Sequence, residues 1–301
     1  MLAGCAAFAH TAGMSEATSS AATPSVHNMD SPVRRIAVLV IAIALGAIAF
    51  RATVPFMQSA RGVAGPLIAD SERPVLAILA ILVAFAVTSA VAAIVARLVN
   101  AVVGVFVLGT GVSYLAMRAG NSADFCFGGS SVTAAGVELI GWTLLVIGAL
   151  HLIFKVGGPL IDLPPTHEDH IDSATGSAAR NSWFAGLAGL AAAWLAAVTA
   201  TKGQALGAAC LAGFATGCVG RIIAPRTRPV YLAAAPIAAF ALVFIFLGIT
   251  GAGDLGTRFV DGTLPRLLRL MPVDIAAGCL CGTALGFGFM RSFASPTGES
   301  K

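Results

Sequence analysis

Eight apolar runs, each about as long as a lipid bilayer is thick, limit this chain to very few architectures. They cover Ile36–Phe50, Val75–Ala96, Val99–Met117, Ala134–Phe154, Trp183–Ala200, Ala205–Val219, Val230–Ile249 and Pro272–Met290. A helix needs roughly 20 apolar residues to cross ~30 Å of hydrocarbon, and only a structure that satisfies its own backbone hydrogen bonds can do so. The runs therefore predict an all-α, polytopic transmembrane helical bundle of about eight spans, with tightly packed helices rich in Gly and Ala. With 57% hydrophobic and 11% charged residues and a mean hydropathy of +0.90, the chain has more apolar surface than a soluble core can use. The excess must face lipid.

The second and third spans meet at "RLVN" and the fifth and sixth at "TKGQ", so each pair reads as an antiparallel hairpin. The first span is short unless it continues past Arg51, and the fifth and sixth are marginal in hydropathy. Residues 1–32, rich in Ala, Ser and Thr, read as a disordered tail; 33–291 form the transmembrane domain, 155–182 a polar cytoplasmic loop within it, and 292–301 a C-terminal tail. "LAGC" (Leu2–Cys5) matches a lipoprotein cleavage box but lacks the basic and apolar regions of a secretory signal upstream. Met14 and Met29 are alternative starts.

An even number of spans places both termini on one side. That side collects ten Lys and Arg residues (Arg34, Arg35, Arg97, Lys155, Arg180, Arg221, Arg226, Arg228, Arg291, Lys301) against eight on the other, which favours termini in the cytoplasm and a cell-membrane location. No basic face is clustered, so nucleic acid is excluded as a partner. The bilayer is the partner implied throughout, and Gly-rich faces suit a homo-oligomer or another membrane protein. A hairpin and following helix at 75–154 resembles in layout that at 183–249, three spans later, which is the arrangement of an inverted repeat.

"GCLCGTALG" carries the most specific pattern. Gly278, Gly282 and Gly286 recur every four residues and leave a helix stripe without side chains, where a neighbouring backbone can approach closely. Gly213 and Gly217 repeat the device in the sixth span, and Gly186 and Gly189 give the fifth a small face. Leu280 and Leu285 fall on other faces of the eighth span, toward lipid.

Ionisable residues in hydrocarbon are costly and mark function. The candidates for substrate binding are Glu138, early in the fourth span, and Asp274, which follows Pro272 as a helix-start cap would. His151 lies thirteen residues after Glu138, roughly 20 Å along the axis, so the two cannot share a site. Thr88, Ser89 and Asn100 are the other polar groups that a mid-membrane cavity would recruit. In "PPTHEDHID", His167 and His170 are the metal-ligand candidates, with a solvated acidic loop as the plainer reading. The six cysteines offer no loop pair for a disulfide, and Cys279 and Cys281 point to opposite sides of one helix. The glycines and hydroxyls of "FGGSSVTAAG" fit a loop nest or, through Ser130, Ser131 or Thr133, a helix cap.

No enzyme signature is present, no cofactor is implied and no catalytic residue is assigned. The span count points first to a transporter or permease for a small or apolar solute, with a non-catalytic scaffold or assembly subunit as the alternative. A polar cavity at mid-membrane would distinguish the first from the second.

Overall fold

The computed structural model describes residues 31–59, 62–158, 177–223, 227–251 and 253–291. Eight long helices, α1 (Pro32–Arg51), α2 (Pro74–Leu98), α3 (Ala101–Arg118), α5 (Val132–Gly157), α6 (Ser177–Ala196), α7 (Lys202–Ile223), α8 (Pro229–Thr250) and α10 (Pro272–Arg291), form an all-α polytopic bundle. Two short helices, α4 (Ser122–Phe127) and α9 (Leu255–Val260), lie at one end. That end is termed the far end; the opposite one, where α1 starts and α10 finishes, is the terminal end.

Local chemistry sets the boundaries. Proline, whose missing N–H costs nothing in a first turn, opens α1, α2 and α8. Asn100 Oδ1 caps α3 by accepting the Val103 N–H at 2.8 Å, and Ser131 Oγ accepts from Ala134 at 3.4 Å to start α5. Asn121 and Asp124 close a reciprocal capping box on α4. Asp254 starts α9 by accepting from Gly256 N and Thr257 Oγ1, and these bonds hold its carboxyl below the usual aspartate range.

The first span gains its length at the front: α1 begins at Pro32 and is 20 residues long. The fifth is shorter than expected at its end. α6 stops at Ala196, not Ala200, because Gln204 takes the Ala196 carbonyl (Nε2 to O, 2.9 Å) and the Thr199 N–H (to Oε1, 2.8 Å) that further helical turns would need. α5 runs on through Gly157 and α6 starts at Ser177, so both borders of the polar segment 155–182 are helical. Among the described residues seven long helices are apolar enough to cross a membrane by themselves. The eighth long helix is α6, which packs along α7 and α8 from one end of the bundle to the other. Asn181 Nδ2 donates to Ile223 O at the terminal end, and Arg266 donates to Trp194 O at the far end.

The core is threaded by Trp142, Phe50, Phe125, Phe240 and Phe244, all essentially without solvent contact, and Phe85 meets Trp142 edge to face at 6.0 Å. Branched side chains such as Val40, Ile41, Leu45 and Leu144 point outward, as a lipid-facing surface requires.

Helix neighbours reveal an internal repetition. Residues 32–157 run long, long, long, short, long, and residues 177–291 do the same. Within the first unit α1 packs on α3 and α2 on α5; within the second α6 packs on α8 and α7 on α10. Between units α3 packs on α10 and, reciprocally, α8 on α5, while the short helices α4 and α9 meet each other through Phe127 and Phe259 (5.7 Å between rings). The units begin four long helices apart, so corresponding helices run in the same direction, and the reciprocal contacts between units are those a two-fold arrangement would produce. The inverted pairing of 75–154 with 183–249 accounts for less. It leaves α1 to match α10, and the extensive α3–α10 packing would then need an equally extensive α1–α7 packing, which the described residues do not make.

Candidate functional site

The two carboxylates that the sequence singles out, Asp274 and Glu138, lie toward the far end, where they tie connections to helix ends. Asp274, in the first turn of α10, is 1% exposed. Its Oδ2 accepts the Met271 N–H at 3.3 Å, the expected cap. Its Oδ1 lies 2.9 Å from Nζ of Lys202, the first residue of α7, and the same ammonium donates to the Gly120 carbonyl at 2.8 Å. One buried ion pair therefore joins α3, α7 and α10. Lys202 escaped the sequence reading because "TKGQ" looks like an ordinary hairpin turn. The available signal was topological, since Lys202 and Asp274 both fall at helix starts on the far end.

Glu138 is half-buried on α5. Its Oε2 accepts the Ile68 N–H at 2.8 Å and its Oε1 the Trp142 indole N–H at 3.3 Å. Ile68 belongs to the connection between α1 and α2, which folds inward as a plug: Met57 and Leu67 are 1% exposed, and Gly120 N donates to Gly65 O at 3.1 Å. Only glycine fits at 120, since a Cβ there would stand 2.7 Å from Pro66 N. Asp70, in the same plug, accepts from Ser130 Oγ at 2.6 Å, so Ser130 is a tether and Ser131 the helix cap. Both intramembrane carboxylates, then, are engaged by groups of the chain itself.

The remaining candidates disperse. His151 is exposed at the terminal end, its Nδ1 2.9 Å from Ile147 O and its ring 6.3 Å from that of Tyr231. Thr88 is fully buried, donates to Ala84 O at 2.8 Å, and fills the space opposite Gly46 and Gly111. Ser89 is buried on the same helix. Asn100 is spent on its cap. His167 and His170 lie outside the described residues, and among the described residues no three His, Cys, Asp or Glu side chains converge on a metal position. Cys126 lies on α4, where burial pushes its thiol up; Cys281 sits 3.6 Å from Ser113 Oγ against α3, and Cys279 is enclosed against Gly213.

The glycines lie face to face. A Cβ at Gly278 would stand 2.7 Å from Cys210 N, one at Gly286 2.7 Å from Phe214 O and one at Gly217 3.1 Å from Thr283 O; at Gly282 and Gly213 it would overlap the Cys210 and Cys279 carbonyls outright. The stripe of α10 and the shorter one of α7 thus meet as one backbone-to-backbone seam, crossed by a hydrogen bond from Thr283 Oγ1 to Gly213 O at 3.3 Å. Leu285 is 49% exposed, toward lipid as expected, but Leu280 is fully buried. α10 is central, and the face carrying Leu280 packs on Gly109 of α3.

No family model, no curated protein and no solved structure matches this chain.

Proposed function

We propose that the chain is a non-catalytic scaffold or assembly subunit of the cell membrane, in preference to a permease for a small or apolar solute. The observation that supports this reading is the commitment of Glu138 and Asp274. These carboxylates, on which a coupled transporter would draw, are spent on Ile68, Trp142, Met271 and Lys202. The glycine seam adds to it, since backbones in direct contact leave no room for a solute between α7 and α10.

Cys279 offers a test that needs no substitution. It is 0% exposed on the seam between α7 and α10. In sealed vesicles, a membrane-impermeant maleimide applied for hours from either side is expected to leave Cys279 unmodified by peptide mass mapping. A transporter that parts α7 from α10 during its cycle would expose it, and progressive modification would favour the permease.

For orientation we propose cytoplasmic termini, on the Lys and Arg bias. A reporter fused after Lys301 and one inserted at Thr175 are both expected to read as cytoplasmic. An exported signal from either would reverse the orientation or change the number of spans.

A further inference from the structure

Where the short helices α4 and α9 meet at the far end, an open groove of about 530 Å³ runs between them. That volume is in the range of small-molecule sites. Its two walls differ in chemistry. The α4 side supplies Cys126 and Phe127 and no charge, whereas the α9 side supplies Thr257, Val260 and the carboxylates of Asp254 and Asp261.

Phe127 is held in place from α9. Its ring meets that of Phe259 edge to face at 5.7 Å, and it lies against Gly256, where a Cβ would stand 3.4 Å away. The residue is nonetheless 54% exposed, so much of the ring is open to a ligand. The same position at Gly256 is 3.4 Å from Asp254 Oδ1, which makes a carboxylate and an aromatic ring neighbours in the groove. Asp254 is ionised, since the bonds from Thr257 and Gly256 hold its carboxyl low. Asp261, just past the other end of α9, is exposed. Among the described residues no cation lies within 4 Å of either carboxylate. Arg258, on the same helix, has its Nε 3.3 Å from where a Cβ of Gly253 would stand and does not line the groove. Two negative charges are therefore left without a counter-ion from the chain. Beside them Cys126, 8% exposed, has a free thiol, and Val260 is 73% exposed.

An anion would be repelled here. A hydrated metal ion would use the carboxylates alone, and among the described residues no three metal-ligating side chains converge. A cation that carries hydrocarbon uses both walls, because its charge is attracted to the carboxylates and to the face of the ring while its carbon atoms cover Val260.

We infer that the groove between α4 and α9 is a binding site for a small organic ammonium, its charge met by Asp254, Asp261 and the Phe127 ring and its carbon skeleton resting on Val260 and Cys126. This goes beyond the scaffold reading and does not depend on it, since the groove can be filled whether or not α7 and α10 part.

The test uses the purified full chain in an uncharged detergent and three probes of similar shape, benzyltrimethylammonium, benzyl alcohol and benzoate, followed by ligand-observed NMR. The ammonium is expected to bind about tenfold more tightly than the alcohol, and benzoate not to bind. Asp261→Asn is expected to weaken the ammonium about fivefold and to leave the alcohol unchanged. Phe127→Leu, which keeps the hydrocarbon and removes the ring, is expected to weaken it about threefold. Glu72→Gln makes the same change of charge at the same end but outside the groove, and is expected to have no effect. If Phe127→Leu does not fold, Asp261→Asn decides, because Asp261 is exposed and its carboxylate joins no other element. At saturation the ammonium is also expected to slow alkylation of Cys126 by N-ethylmaleimide, read by peptide mass mapping. Equal losses from Asp261→Asn and Glu72→Gln, equal affinity for the three probes, or unchanged alkylation of Cys126 would overturn the site. So would full displacement of the ammonium by calcium, which assigns the acids to a metal ion, by phosphatidylcholine, which assigns the groove to a lipid headgroup, or by polylysine, which assigns it to a basic protein.

Discussion

Replacing Asp274 by Ala is expected to cost the folded bundle about 3–5 kcal/mol, because it strands the Lys202 ammonium beside α3 and α10 with only the Gly120 carbonyl as partner. An ion pair repays the desolvation of its members only while both are present. Lys202→Met is expected to fail for the mirror-image reason, leaving a carboxylate that is 1% exposed with the Met271 N–H alone. The double variant Lys202→Met/Asp274→Leu carries neither buried charge and should be more stable than either single variant, as apolar replacements of buried pairs are often neutral. The measurement is the thermal midpoint in detergent for the three variants. If the double variant loses the sum of the single losses, the two residues act independently and the ion pair does not join α7 to α10.

Gly282→Leu is the second substitution with a large expected effect. A Cβ at that position already overlaps the Cys210 carbonyl oxygen, and the next atoms would enter Phe214 N. Overpacking a close seam typically costs about 1–3 kcal/mol and more where backbone must move, which is a large share of ordinary marginal stability. Leu285→Ala, on the lipid side of the same helix, is expected to change the folded fraction little. Leu280→Ala is not a neutral control: Leu280 is fully buried, and such truncations cost about 2–5 kcal/mol. A Gly282→Leu protein as stable as the parent would mean that α7 and α10 can separate freely.

The spans were legible because hydrocarbon imposes a length and a polarity on every crossing, whatever lies next to it. The glycine stripes were legible as close-packing faces for the same reason, but four-residue spacing says nothing about which stripe meets which. That Gly282 opposes Cys210 is a property of how distant helices are arranged. Leu280 was misread because facial arguments assume a lipid side, and a helix enclosed as α10 is has almost none. The plug between α1 and α2 was illegible since its fastenings, Ile68 N–H to the Glu138 carboxylate, Gly120 N–H to the Gly65 carbonyl and Ser130 Oγ to Asp70, join residues far apart along the chain. The short helix α4 had a readable start in "NSAD", where Asn and an acid three residues later form a capping box, yet six residues give too little periodicity to register. Lys202 shows the limit for the site itself: a cation in a turn looks solvated until the start of another helix is placed beside it.

The matching orientation of the two units has a bearing on how such a protein can arise and be taken apart. Joining two copies of a four-span ancestor head to tail leaves each copy on its original side of the membrane, so the charge bias that inserted the ancestor inserts both. No intermediate with ambiguous insertion is needed, as it would be had the ancestor an odd number of spans. The same arithmetic makes the chain divisible. Genes encoding residues 1–165 and 166–301 separately would each specify an even number of crossings, and α3–α10 with α5–α8 supply the reciprocal surfaces through which two such polypeptides would meet as a heterodimer.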